Sequence, residues 1–186
     1  LPASGVELYL FPTNDAGVNH SPGTIYELAG TSWLNQDTGA AVGDSPLAFG
    51  QAFVLRNGSA SSATVSIVGS VPMSKHRTLL RTLAANTPQD SRIGYLSPIP
   101  EAIGSVGLGT NPGDELHVFD NTAVGINKSP VTILEFTGTA WLNQDSGANV
   151  NTSFMIQPGQ GYLLRRVGTA SPSTVAWSDL QSYLSP

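Results

Sequence analysis

The 186-residue chain contains no cysteine, so neither a disulfide framework nor a thiolate metal site is open to it. That absence fits a cytosolic protein or a bacterial exported one better than a small eukaryotic secreted scaffold. Charge is scarce. Asp, Glu, Lys and Arg make up 11 % of the residues, against about 25 % in a typical soluble domain. Eight basic residues face 13 acidic ones, for a formal net charge of -5, and this is not the Lys/Arg footprint that nucleic-acid binding requires. No apolar run approaches the ~20 residues that span a bilayer. The chain opens on Leu1 without a signal peptide, so an already processed exported protein is expected.

Hydrophobic residues nevertheless reach 40 %. Low charge without low hydrophobicity argues for order rather than disorder. Ser, Thr, Asn, Gln and Gly supply the polar surface, and such a surface repels its own copies only weakly. A chain of this length can bury a real core as one large β domain or two small ones.

The chain is duplicated. Glu7 to Phe11, "ELYLF", falls on Glu115 to Phe119, "ELHVF", and Gly17 to Val42 then falls on Gly125 to Val150 without a gap. More than half of these aligned residues are identical. "FGQAFVLR" from Phe49 matches "PGQGYLLR" from Pro158, and "TVSI" from Thr64 matches "TVAW" from Thr174. Both copies read as short alternating strands between Gly, Asn and Ser-Pro turns, the pattern of an all-β sandwich or barrel. The expected fold is therefore two tandemly duplicated antiparallel β-sandwich or barrel-like units with at most one short helix. Residues 1–72 form the first unit, 73–92 connect, and 93–186 form the second with a C-terminal strand. His76 to Asn86 reads as strand rather than helix, and Pro100 to Leu108 could hold one helical turn.

"WLNQDTGA" at Trp33 and "WLNQDSGA" at Trp141 place an Asp-Thr-Gly and an Asp-Ser-Gly in the two halves, as a two-lobed aspartic protease would. Asn and Gln before each Asp indicate a solvated turn instead. There the Asp side chain would bond amides two residues on, and Gly would take the left-handed position. Asn35, Asp37 and Asp44 are too few oxygen ligands for calcium. His20, His76 and His117 are not duplicated and read as surface or strand residues. Glu27 and Glu135 read as outward strand positions rather than a glycosidase pair. No catalytic residue, metal ligand or cofactor site is expected. Trp33 and Trp141 read as core aromatics, with sugar stacking as the alternative role. Asn57, Asn127 and Asn151 head glycosylation sequons.

The ends do not match. "RIGYLSPIP" leads into the second copy, nothing comparable leads into the first, and "YLSP" returns at Tyr183, Leu184, Ser185 and Pro186. An unpaired edge is therefore expected at the first strand of the first copy, around Leu8 and Leu10. The terminal strand could fill it within one chain, or between chains by strand addition, or the echo is coincidental.

The order of "GTSWLNQDTGA", "GQAFVLR" or "GQGYLLR", then "TV" and "YLSPIP", resembles uncharacterised exported β-repeat proteins of Verrucomicrobia-type bacteria. The resemblance implies export and β structure, and no activity. The expected function is that of a non-enzymatic extracellular or cell-surface structural protein that assembles with itself. The alternative is a carbohydrate-binding module with surface polysaccharide as partner, and the third reading is the duplicated aspartic protease.

Overall fold

In Val6–Leu10 apolar and polar residues alternate, so Val6 and Leu8 reach a buried face while Glu7 and Tyr9 share the other. This segment is β1 in a computed structural model that describes residues 5–12, 15–48, 50–58 and 76–179. With β2 (Thr24–Ala29), β3 (Ser32–Asn35) and β4 (Phe53–Asn57) it forms an antiparallel sheet in the order β3-β2-β1-β4. The chain continues through β5 (His76–Thr82), β6 (Gln89–Gly94), β7 (Glu101–Ala102), β8 (Glu115–Val118) and β9 (Thr132–Phe136). The described residues end with β10 (Trp141–Asn143), β11 (Met155–Ile156), β12 (Gly161–Arg166) and β13 (Ser173–Asp179).

The second large sheet runs β10-β9-β8-β12-β6, while β11 pairs with β7 and β13 with β5, all antiparallel. Among the described residues the fold is all-β without a helix. Pro100 to Leu108 contributes β7 and a turn, not the helical turn its sequence allowed.

The duplication extends to register. Glu7 faces Glu27 as Glu115 faces Glu135, and Leu8 faces Leu55 as Leu116 faces Leu164. The strand order β10-β9-β8-β12 thus repeats β3-β2-β1-β4. The second copy adds more. Its core joins Leu116, Leu134, Trp141 and Leu164 of the sheet to Leu80 of β5 and Trp177 of β13, so the β5–β13 ribbon covers one sheet face like the second layer of a sandwich. Residues 73–92 were expected to be a connector. From His76 onward they supply β5 and most of β6, and Leu80 among them is buried in the core of the second copy while Leu79 is exposed.

Candidate functional site

The aspartate turns form as duplicated local structures, with one correction. Asn35 Oδ1 accepts the N–H groups of Asp37 (2.9 Å) and Thr38 (3.0 Å), and Asn143 Oδ1 accepts those of Asp145 (3.0 Å) and Ser146 (2.9 Å). Asn, not Asp, therefore closes each turn, leaving both aspartates exposed. Gly39 and Gly147 take φ of 71° and 69°, the left-handed region where a Cβ would strain the chain. A proton-sharing dyad needs two carboxylates pressed together in a dry site, and exposed turn tips do not provide one. Among the described residues no group of three or more His, Asp and Glu could hold a metal. No helix there is long and apolar enough to cross a membrane.

Other candidates fall where strand register puts them. Trp141 is buried against Phe136, ring centroids 5.2 Å apart, while Trp33 is half-buried. His117 is buried beside Glu115, with Nε2 2.8 Å from Oε2. His20 Nε2 lies 2.7 Å from the Gly17 carbonyl. Glu27 and Glu135 sit opposite Glu7 and Glu115, like charges that would repel were Arg56 and Arg165 not next in the same cross-strand rows. Asn151 Oδ1 accepts the Trp141 N–H at 2.7 Å, so that sequon is engaged in folding.

Leu8 and Leu10 belong to β1, which is paired on both sides, by β2 and by β4. Neither edge of β1 is therefore open, contrary to the expectation from the sequence, and among the described residues it is β4 that ends the sheet on this side. In the second copy the leading strand β6 pairs with β12, the counterpart of β4, and not with the first strand β8. Among the described residues β4 has only β1 for a neighbour. The exposures record the difference. Val54 on β4 is 40 % exposed, whereas its counterpart Leu163, flanked by β6, is 7 % exposed. Tyr183, Leu184, Ser185 and Pro186 lie outside the described residues.

The rows of charge mark the same difference. Arg165 reaches across to β6, with Nε 2.8 Å from Asp90 Oδ1 and Nη2 3.1 Å from Oδ2, a fork-to-fork pair. Arg56, at the equivalent place, turns back to Glu7 at 3.2 Å and to the Tyr9 hydroxyl at 2.9 Å. Sequence reasoning missed these arginines, although their matched positions in "VLR" and "LLR" were the available signal.

β6 also joins the two copies. The N–H of Gly17 donates to Gln89 Oε1 (3.0 Å) and that of Asn19 to Asp90 Oδ2 (2.9 Å). The Gln89 amide donates to the Asp15 carbonyl at 2.9 Å, and the Arg92 guanidinium lies 3.7 Å above the Phe11 ring centre. Gly94 N–H donates to the Gly50 carbonyl, and Ile93 bridges Gln51. Burial by itself would raise the pKa of Asp90. The Arg165 hydrogen bond, the Asn19 amide and the charges of Arg165 and His117 outweigh it and hold the group below its ordinary 3.8. A depressed carboxylate stabilises the fold above its unfolded pKa, and that contribution is lost as pH falls through the folded value. The joint is therefore expected to loosen below about pH 4. Asp90→Asn should loosen it at neutral pH and flatten that acid dependence. Hydrogen exchange at the amides of Gly17 and Asn19 reads both effects, and unchanged exchange in the variant would refute the role given to Asp90.

In comparisons with known proteins, no family model matches the chain, and neither a curated protein nor a solved structure matches it.

Proposed function

We propose that the chain is a non-enzymatic structural β protein of the extracellular space or cell surface, built from two related sandwich-like units, that assembles with its own kind by strand addition. One observation carries the reading. The edge of β4 is open among the described residues, at the register where β12 holds β6. An open edge offers a row of unpaired N–H and C=O groups. Here it also offers Val54, which a flanking strand would cover, and Arg56, which an incoming Asp could draw from Glu7 as Asp90 engages Arg165. The low charge of the chain leaves little repulsion to oppose such pairing. A contact between the edge of one chain and a strand of the next is heterologous, so rings or filaments follow according to whether the rotation closes.

Native mass spectrometry and negative-stain imaging at rising concentration test this. Ordered oligomers are expected, and Val54→Lys, which places a charge on the edge, should return them to monomers. A chain that stays monomeric at every concentration would remove the proposal.

A further inference from the structure

The second copy repeats, position by position, the surface on which the first copy holds β6. Gly125 and Asn127 carry φ of 120° and 52°, where Gly17 and Asn19 carry 102° and 56°. Backbone angles of this kind aim alternate amides to the same side, and in the first copy those amides hold Gln89 and Asp90. Gly159 matches Gly50, with φ of 69° against 75°. Gln160 Nε2 donates to the Phe119 carbonyl at 3.2 Å, as Gln51 Nε2 donates to that of Phe11 at 3.3 Å. Lys128 pins the loop from inside, donating to the carbonyls of Asp120 (2.6 Å) and Ala123 (2.8 Å), a service His20 performs at Gly17. The face is thus shaped before anything binds it. Among the described residues no strand lies against it, and Val124 and Ile126 stand 97 % and 60 % exposed.

The geometry assigns this face to an extended peptide strand of the β6 kind, Gln-Asp-x-Arg-Ile-Gly, carried by a further unit of the same repeat. The joint already made inside the chain argues for that occupant, since its two loop amides, its aromatic ring and its glycine carbonyl each have a counterpart, although the carbonyl of Ala123, which matches that of Asp15, is taken by Lys128. The amides of Gly125 and Asn127 take the Gln side-chain oxygen and the Asp carboxylate. The Phe119 ring takes the Arg guanidinium, and the Gly159 carbonyl takes the Gly amide. Sequence differences leave these elements intact, because three of the four are backbone groups and the fourth is Phe in both copies. The site depends on the assembly reading only for the kind of partner, since it lies on the second copy and not on β4.

A fluorescent peptide spanning Gln89 to Pro98, titrated into the intact chain and followed by anisotropy, tests the assignment. Saturable binding is expected. Asp90→Ala or Arg92→Ala in the peptide should weaken it about tenfold or more, with the protein unchanged. Phe119→Ala in the protein should do the same, while Arg56→Ala should not. Absence of saturation at millimolar peptide overturns the assignment, as does binding indifferent to both peptide substitutions. Binding kept in Phe119→Ala but lost in Arg56→Ala would place the peptide on the β4 edge, overturning this site and leaving the assembly reading intact. A monomeric chain that still captures the peptide at Phe119 would do the reverse.

Discussion

Asp114→Val is expected to destabilise the second copy by about 3–5 kcal/mol, the usual consequence of removing one member of a buried charged pair. Asp114 and Arg166 are both fully buried. Oδ2 of Asp114 accepts the Thr110 N–H (3.3 Å), the Thr110 hydroxyl (3.1 Å) and the Asn111 N–H (3.0 Å), and Oδ1 accepts the Val167 N–H at 3.1 Å. Arg166 Nε approaches Oδ2 only to 3.6 Å, while Nη1 donates to the Leu80 carbonyl at 3.0 Å and Nη2 to the Thr110 hydroxyl. The pair therefore fixes the loop before β8 and ties the β5–β13 ribbon to the sheet. Without Asp114, three backbone amides lose their acceptor and a guanidinium is left buried without its counter-charge. The first copy does without the ion pair, with a buried Val6 and an exposed Asn57 at the two positions. Asp114→Val with Arg166→Asn should accordingly recover part of the loss. Urea unfolding followed by the fluorescence of Trp141 and Trp177 measures both variants. A single-variant loss under about 1 kcal/mol would show that the network is loosely held.

Much of this architecture was legible in the chain itself. The gapless match from Gly17 to Val42 onto Gly125 to Val150 fixed two like sets of strands, because side-chain alternation and turn glycines are local properties. "HRTLLRT" was open to two readings, and β13 decided it. A segment whose alternate residues can be buried becomes a strand when a partner edge is available. The turn chemistry was half right, since Gly39 and Gly147 were foreseen in the left-handed region but the closing side chain is Asn rather than Asp. What stayed hidden was non-local. Nothing near Leu8 says that β1 lies inside its sheet, because strand order is set by which edges meet across many residues. For the same reason the sequence did not show that β1 is paired on both sides while β4, among the described residues, is paired on one. The joint at Gly17 and Asn19 lies at the start of the repeated segment. Its role depends on Gln89 and Asp90, seventy residues away and more.

Trp141→Ala is expected to cost about 3–5 kcal/mol, whereas Trp33→Ala should cost about 1–3, although the two residues head identical motifs. The difference is one of layers. Trp141 is 2 % exposed, packed in one cluster with Ile156, Leu164 and Trp177, and its backbone N–H is held by Asn151. Trp33 is only half-buried in the first sheet. Removing the enclosed ring leaves a cavity that its neighbours can only partly refill. The comparison also bears on the polysaccharide alternative. A sugar platform must offer an open ring face, and the indole of Trp141 is enclosed by its own core. Any loss of polysaccharide retention in Trp141→Ala would therefore follow from unfolding, visible in circular dichroism. Trp33→Ala isolates the question, because its fold should survive the change. If the chain works through its sheet edges, this variant assembles as the parent does and shows the parent's behaviour on a polysaccharide column. Retention by the parent that disappears in folded Trp33→Ala would instead make the half-buried indole a carbohydrate site and move the function from strand edges to a sheet face.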